Sequence, residues 1–417
     1  MGRTVFLTIL CFVVVLLDVY CYNAITAVFK KWKPTTKIIF KRAWWIINIG
    51  LIVGVFCAIY LNLFLTARAI ILVAFFLLTA GKIVMLPFLL IDDLRRLVIK
   101  IFRKTANKPT QSTNETLPGE PISRSSFLVK AGLIAGAVPL SSLSWGIISG
   151  AYDYQIRRVN LKLPNLPAAF DGITLAQISD IHSGSFYNKT AVQGGVDMLM
   201  AEKPDFVFFT GDLVNNLTSE VKDYQNIFSK VKAPLGVYSV LGNHDYGDYY
   251  FGKGSSPAKV KNLKDMIATH KIMGYDLLMN QNRRLKVGGE EIGIVGIENW
   301  GMGRFPKYGK MELAMQHTDD LPVKLLLSHD PSHWRGEVLE KYKDIDVAFA
   351  GHTHGMQFGV RLKEMQWSPV QYIYKEWAGL YREQHQQLYV NVGYGFLGYP
   401  GRVGILPEIT IFTLSKA

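Results

Sequence analysis

Gly236-Val-Tyr-Ser-Val-Leu-Gly-Asn-His-Asp245 is the stretch from which the organisation of this chain can be predicted. Its first six residues are mostly apolar and typical of a short buried strand. Asn243 and His244 follow at once, so two polar side chains lie at the carboxyl end of a strand. Open α/β sheets bind their ligands at that edge. Alone, however, such a pair is usually an ordinary pair of loop residues.

The same construction occurs in four other places. Each is a short apolar run that ends abruptly in Asp or His: residues 174–178 before Asp180 and His182, 205–210 before Asp212, 323–327 before His329, and 346–350 before His352 and His354. Five of the nine histidines in the chain lie at these five strand ends. Carboxylate, amide and imidazole groups are ligands for Mn, Fe, Zn or Mg. The recurrence therefore predicts a metal site at one edge of a sheet.

The pattern between these runs predicts a layered α/β fold. Amphipathic spacing indicates helices over 190–202, 220–231, 258–273 and 332–342, and further strands are predicted over 291–297, 387–392 and 409–413. Strands that alternate with helices are typical of sheets covered by helices.

In order, the motifs Asp-x-His, Gly-Asp, Gly-Asn-His-Asp, a single His and Gly-His-x-His resemble the calcineurin-like metallophosphoesterase superfamily over roughly residues 170–412. The segment that ends in Pro-x-Arg, residues 393–402, resembles its membrane-anchored or exported bacterial branch. Met356 departs from the Gly usual in that branch, which affects loop shape and no ligand position. The resemblance implies a four-layer α-β-β-α sandwich, preceded here by an all-α transmembrane region.

The resemblance also implies which residues hold two divalent metal ions. The first ion would take Asp180, His182, Asp212 and His354, and the second Asp212, Asn243, His329 and His352. Asp212 would thus bridge the two. A pair of cations ~3.5–4 Å apart clamps a phosphate and activates a water for in-line attack. The identity of the ions (Mn, Fe, Zn or Mg) stays open.

Three further residues are catalytic candidates by the same resemblance. His244 would donate a proton or hydrogen bond to the phosphoryl or leaving oxygen. Asp245 would either orient His244 or serve as a structural turn residue. Arg402 would either bind phosphate through its two-pronged guanidinium or be an ordinary surface arginine.

Long apolar segments in the first 150 residues predict a membrane region. Apolar segments over 4–20, 43–67 and 69–91 are the candidate spans within 1–104, and a fourth follows over 127–150. The first could be a signal peptide, but no cleavage site follows Tyr20 and more spans come next. Residues 123–130 resemble a twin-arginine export signal that lacks one arginine. Residues 105–126 are rich in Pro and Thr and are predicted to be a flexible linker, and 151–417 form the phosphoesterase domain.

The distribution of charge and cysteine excludes several classes of function for the domain. The net charge of +13 belongs almost wholly to residues 1–150, so no nucleic-acid binding is indicated for the domain. Cys11, Cys21 and Cys57 all precede the domain, which excludes a disulfide scaffold and a thiolate metal site there. Basic loops stay cytoplasmic. A multi-pass protein of the cell (inner) membrane is therefore predicted, with the domain on the outer or periplasmic face if 127–149 span the bilayer and in the cytoplasm if they do not.

The function predicted from these features is hydrolysis of a phosphate monoester or diester, with a lipid-linked substrate as the favoured case. Aromatic residues beside the motifs, such as 246–251 and 367–381, are compatible with an apolar substrate rim and with simple loop packing. One alternative is a pyrophosphate hydrolase of the UDP-diacylglucosamine type. Another is a non-catalytic membrane scaffold, which the complete set of candidate ligands disfavours. The oligomeric state stays open.

Overall fold

The computed structural model describes residues 3–61, 65–103, 124–303, 305–362 and 365–417. The chain divides into two units, the first ending at Trp145 and the second beginning at Gly146. The predicted linker over 105–126 lies outside the described residues except for its last three positions.

The first unit is built from long helices. They are α1 (Arg3–Val28), α2 (Pro34–Tyr60), α3 (Leu65–Arg103) and α4 (Arg124–Ile148), the last of which runs three residues into the second unit. Each contains a stretch long and apolar enough to cross a membrane: Thr4–Val28, Pro34–Tyr60, Ala67–Phe102 and Ser125–Ile148.

The bounds of three of these helices differ from the predicted segments. α1 continues through polar residues to Val28, and α3 continues through charged residues to Arg103. α2 starts at Pro34, since proline suits the first helical position, and ends at Tyr60 rather than at residue 67. A count of apolar residues alone misses such polar helix ends. The predicted segment over 127–149 is confirmed as a helix.

Two charges that stand alone in apolar segments meet in the first unit. Lys82 of α3 donates hydrogen bonds to the carboxylate of Asp18 in α1 and to the side-chain oxygen of Asn48 in α2. Asp18 is buried, and the Lys82 ammonium lies 5.5 Å from the ring centre of Trp44. A charge in an apolar helix is costly unless it is paired. The contact therefore ties α1 to α2 and α3.

The second unit contains two mixed six-stranded sheets. The strands are β1 (Gln155–Leu163), β2 (Thr174–Ile178), β3 (Phe206–Phe209), β4 (Val237–Ser239), β5 (Asp276–Leu277), β6 (Gln281–Val287), β7 (Glu290–Gly296), β8 (Lys324–Leu327), β9 (Val347–Ala350), β10 (Val360–Arg361), β11 (Gln366–Trp367), β12 (Gly379–Glu383), β13 (Gln386–Val390) and β14 (Glu408–Lys416). The first sheet has the order β1-β14-β2-β3-β4-β5 and the second β12-β13-β9-β8-β7-β6, while β10 and β11 form a separate ribbon.

Shorter helices cover the sheets. They are α5 (Lys189–Ala201), α6 (Gln225–Phe228), α7 (Asp248–Phe251), α8 (Pro257–Met273), α9 (Met311–Ala314) and α10 (Leu339–Lys341). The helices predicted over 190–202 and 258–273 are confirmed. A single helix over 220–231 is wrong, because the backbone of Tyr224, at φ −118°, interrupts it before α6. A π-helical turn over Trp334–Val338 leads into α10 and replaces the α-helix predicted over 332–342.

Three apolar clusters define the layers of this unit. Phe206 and Phe208 of the first sheet pack in one cluster with Leu325 and Phe349 of the second, so the two sheets lie face to face. The outer face of the first sheet packs against α5, α6 and α8, and that of the second against α9 and the π-helical turn. The arrangement is the predicted four-layer α-β-β-α sandwich.

Parallel pairing places the predicted site at one edge. β2, β3 and β4 are parallel neighbours in the first sheet, as β8 and β9 are in the second. The carboxyl ends of all five strands carry the polar motifs.

Candidate metal centre

The first cluster of ligands combines the ends of β2 and β9. Asp180, His182 and His354 are all buried, and one ligand atom from each lies within 4.8 Å of the others. Nε2 of His182 lies 3.5 Å from Oδ2 of Asp212, and Nε2 of His354 lies 3.3 Å from Oδ1 of Asp180. Neither pair has the geometry of a hydrogen bond. Among the described residues neither nitrogen has a hydrogen-bond partner, although both are buried. Buried polar atoms are rarely left so, and a metal ion would satisfy them.

The second cluster adds the ends of β3 and β8. Asp212, His329 and His352 bring one ligand atom each within 4.8 Å of one another. Oδ1 of Asn243 lies 2.8 Å from Nδ1 of His352, so the amide joins this cluster. Oδ2 of Asp212 is 3.1 Å from Nε2 of His329 and 3.5 Å from Nε2 of His182. The Asp212 carboxylate thus faces both clusters.

The outward ring nitrogens of three candidate ligands are held by other groups. Nδ1 of His182 donates to the side-chain oxygen of Asn215 at 3.1 Å. Nδ1 of His329 donates to the carbonyl of Thr210 at 2.7 Å, and Nε2 of His352 lies 2.8 Å from the hydroxyl of Tyr374. Metal-bound histidines are usually fixed in this way, with the other nitrogen left for the ion. Asn215 and Tyr374 could not be predicted as site residues from the sequence, since neither lies in a ligand motif.

Backbone strain concentrates at the same residues. Asp180, His182, Asp212, His352 and His354 all have positive φ, between 49° and 71°. Non-glycine residues adopt this conformation rarely and at a cost, and such strain clusters at functional sites. All five residues lie in the loops that follow β2, β3 and β9.

His244 lies beside both clusters without belonging to either. Its ring centre is 5.0 Å from that of His182 and 4.5 Å from that of Tyr249. Nδ1 donates to the carbonyl of Asn215 at 2.6 Å, which leaves Nε2 for another partner. The backbone N–H of His244 donates to Oδ1 of Asp212 at 2.9 Å.

Two family models match the chain in succession. Residues 2–151 match the family described as "Probable Calcineurin-like phosphoesterase, transmembrane domain", and residues 173–356 match "Calcineurin-like phosphoesterase". Together they cover more than half of the chain. The chain belongs to the calcineurin-like metallophosphoesterase superfamily. Its two family matches pair a transmembrane domain with a phosphoesterase domain.

Relatives of this metallophosphoesterase occur in distant organisms. A transmembrane protein with metallophosphoesterase domain from Danio rerio is 28% identical over 282 residues, 66% of this chain and 60% of that protein. The uncharacterized metallophosphoesterase YkuE of Bacillus subtilis is 28% identical over 300 residues, 67% of this chain and 94% of that protein. Sulfate thiohydrolase SoxB of Thermus thermophilus is a structural neighbour at 12% identity and a TM-score of 0.34, covering 60% of this chain and 57% of its own, a likeness too weak for functional argument.

The electrostatics of the metallophosphoesterase site favour an anionic Asp212. Burial alone would raise the pKa of Asp212, but attraction to His329 and His244 holds that pKa well below its usual value. Burial lowers the pKa of His182 to about 3, which keeps its ring neutral. A charged carboxylate beside a neutral imidazole is the protonation state that a divalent cation requires.

Asp245 is a structural residue in this phosphoesterase. Its fully buried carboxylate accepts four backbone N–H groups, those of Gly242, Asp212, Leu213 and Val214. It thereby joins the loop after β4 to the loop after β3. His244 is oriented by Asn215 instead, so the structure favours the second of the two roles predicted for Asp245.

Arg402 differs from both predictions made for it. The residue is only 1% exposed, so a surface arginine is wrong. Its guanidinium donates to the carbonyls of Gly395, Val392 and Ile405, so it is not presented to a phosphate either. Nη2 also lies 3.2 Å from Nδ1 of His354. Arg402 therefore holds the Gly-rich loop behind His354, and burial lowers its pKa to about 10.

Proposed function

We propose that this chain hydrolyses a phosphate monoester or diester with the aid of two divalent cations while it is held in a membrane. The observation that carries the proposal is the Asp212 carboxylate, which faces two clusters of imidazole and carboxylate ligands at once. Two cations so placed would polarise the phosphoryl group and lower the pKa of water.

The residues of the chain would bind the two cations, donate a proton and hold the loops of the site. Asp180, His182 and His354 would hold the first cation, and Asn243, His329 and His352 the second, with Asp212 shared. Nε2 of His244 would donate a proton to the leaving oxygen, because Nδ1 is occupied by the Asn215 carbonyl. Asp245 and Arg402 would keep the loops in place.

A substrate panel tests this activity. The full chain, purified in detergent, would be assayed against soluble phosphate monoesters and diesters with Mn, Fe, Zn or Mg supplied one at a time. We expect hydrolysis with at least one metal and its loss after chelation. Hydrolysis that survives complete removal of metal, or none under any condition, would contradict the proposal.

A lipid-linked phosphoester is the substrate class we favour, since the family model and the four apolar helices place the chain at a membrane. We further propose a multi-pass arrangement in the cell membrane with the domain on the outer face. Residues 30–42 carry six basic groups and no acidic one, and basic loops stay inside. With four spans, the chain after α4 would emerge outside.

Cysteine labelling tests the orientation. A single cysteine replaces Lys261, an exposed residue of α8, in a chain without its three native cysteines. We expect a membrane-impermeant maleimide to label it in bacterial spheroplasts. Labelling only after lysis would place the domain inside.

A further inference from the structure

The ribbon of β10 and β11 turns apolar side chains to solvent. Val360 pairs with Trp367 across the ribbon, and the N–H of Leu362 donates to the carbonyl of Met365 at 2.8 Å. Side chains alternate along a strand, so these four lie on one face. Their exposed fractions are 38% for Val360, 64% for Leu362, 56% for Met365 and 39% for Trp367.

On the opposite face of the ribbon, Arg361 is turned inward and its partner Gln366 is exposed. Arg361, between Val360 and Leu362, has a side chain only 7% exposed and forms an ion pair with the buried Glu408. An antiparallel ribbon on a water-soluble domain ordinarily turns its apolar face to the core and its polar face to water. In β10 of this ribbon the pattern is reversed.

Neighbouring residues extend the apolar surface. Met356 and Phe358 precede the ribbon and are 45% and 38% exposed, and Tyr372 and Ile373 follow it at 77% and 67%. We call these eight residues the apolar ribbon face: Met356, Phe358, Val360, Leu362, Met365, Trp367, Tyr372 and Ile373. Contiguous exposed apolar surface of this kind marks a membrane or protein interaction site.

The apolar ribbon face lies beside the end of the last apolar helix. The carbonyl of Gly146, near the end of α4, accepts a hydrogen bond from the N–H of Arg402 at 3.1 Å. The next residue, Val403, donates its N–H to the carbonyl of Gln357 at 2.8 Å and forms a β-bridge with Phe358. The face is thus two backbone contacts away from a helix long and apolar enough to cross a bilayer.

We propose that the apolar ribbon face lies in the interfacial layer of the lipid bilayer. Both the residue composition of the face and its position beside the end of α4 favour contact with lipid. Trp and Tyr with aliphatic neighbours are typical of segments that sit at the headgroup level. The continuity with the end of α4 places these side chains where the chain leaves its last apolar helix.

Insertion of the face would bring the metal ligands to the headgroups. Met356 follows His354 closely, and Tyr374, one residue beyond the face, contacts His352. Ser368, within the same segment, donates to the carbonyl of Gly355 at 2.7 Å. The substrate class that fits is a phosphoester anchored in the bilayer. This last step rests on the proposed function, whereas the docking itself does not.

Depth-dependent quenching tests the docking. The full chain without its native cysteines receives one cysteine, either Leu362→Cys or the control Lys261→Cys, and an environment-sensitive fluorophore. Each labelled chain is reconstituted in phosphatidylcholine–phosphatidylglycerol vesicles. We expect nitroxide at acyl carbon 5 to quench the Leu362 site several-fold more than the Lys261 site, and aqueous iodide to quench them in the opposite order. Ile373→Cys serves as a second reporter if the first variant does not fold.

Two results would overturn the proposal. Equal iodide quenching at both positions would mean that the face lies in water. Protection from both iodide and lipid nitroxide would mean that a second copy or another protein covers it. The readout needs no activity, so a chain that docks but hydrolyses no phosphoester would refute the proposed function alone.

Discussion

Removing the His244 side chain should slow hydrolysis while both metal ions remain bound. The ring belongs to neither ligand cluster. The contact that His244 makes to Asp212 comes from its backbone N–H, at 2.9 Å, and an alanine retains it. His244→Ala therefore keeps the contact to Asp212 and removes the ring, together with its Nδ1 hydrogen bond to the Asn215 carbonyl and the Nε2 that could reach a substrate.

The expected loss is that of a general acid. Such groups contribute about 10²–10⁴-fold, which is about 2.7–5.5 kcal/mol of activation free energy. The loss should grow with the pKa of the leaving alcohol, because a poor leaving group depends most on protonation.

The assay measures kcat for a series of aryl and alkyl phosphates, with metal content determined on the same samples. The matched control is His385→Ala, which replaces an exposed histidine in the turn between β12 and β13. It should leave both kcat and the metal content unchanged. Equal slowing for good and poor leaving groups would mean that His244 stabilises the phosphoryl oxygens instead. Loss of metal from His244→Ala would refute the reasoning.

Two other substitutions test contacts that the sequence did not predict. Asn215→Ala removes the hydrogen-bond acceptor for Nδ1 of His182, so chelator competition should reveal about 10–100-fold weaker metal binding; an unchanged affinity would show that the contact is dispensable. Lys82→Met leaves the buried carboxylate of Asp18 unpaired, so unfolding in detergent should be easier by about 3–5 kcal/mol, with recovery in Asp18→Asn/Lys82→Met. A melting temperature unaffected by Lys82→Met would argue against the pair.

The placement of the site could be predicted from the sequence because a short-range pattern decides it. An apolar run that ends in Asp, Asn or His marks a strand and its carboxyl end together. Parallel pairing of β2 with β3 and of β8 with β9 then brings these ends to one edge. Asp212 follows β3 of the first sheet and His329 follows β8 of the second, and the face-to-face packing of the two sheets brings their side chains to 3.1 Å.

Long-range side-chain contacts could not be predicted in the same way. Arg402 stands in a Gly- and Pro-rich segment typical of a surface turn, and only the folded loop shows its burial against carbonyl groups. Asp18 and Lys82 are visible in the sequence as isolated charges, but their pairing depends on how α1 and α3 pack. The inverted ribbon also escapes sequence analysis, since Val-Arg-Leu alternation at 360–362 does not say which face is covered.

The metal content of Asp212→Asn tests the central claim most directly. One carboxylate is proposed to serve two cations, and an amide cannot replace its charge. Elemental analysis of the purified full chain should find two divalent ions per chain, and the variant should retain neither. Two ions per chain in Asp212→Asn, with hydrolysis intact, would contradict the account.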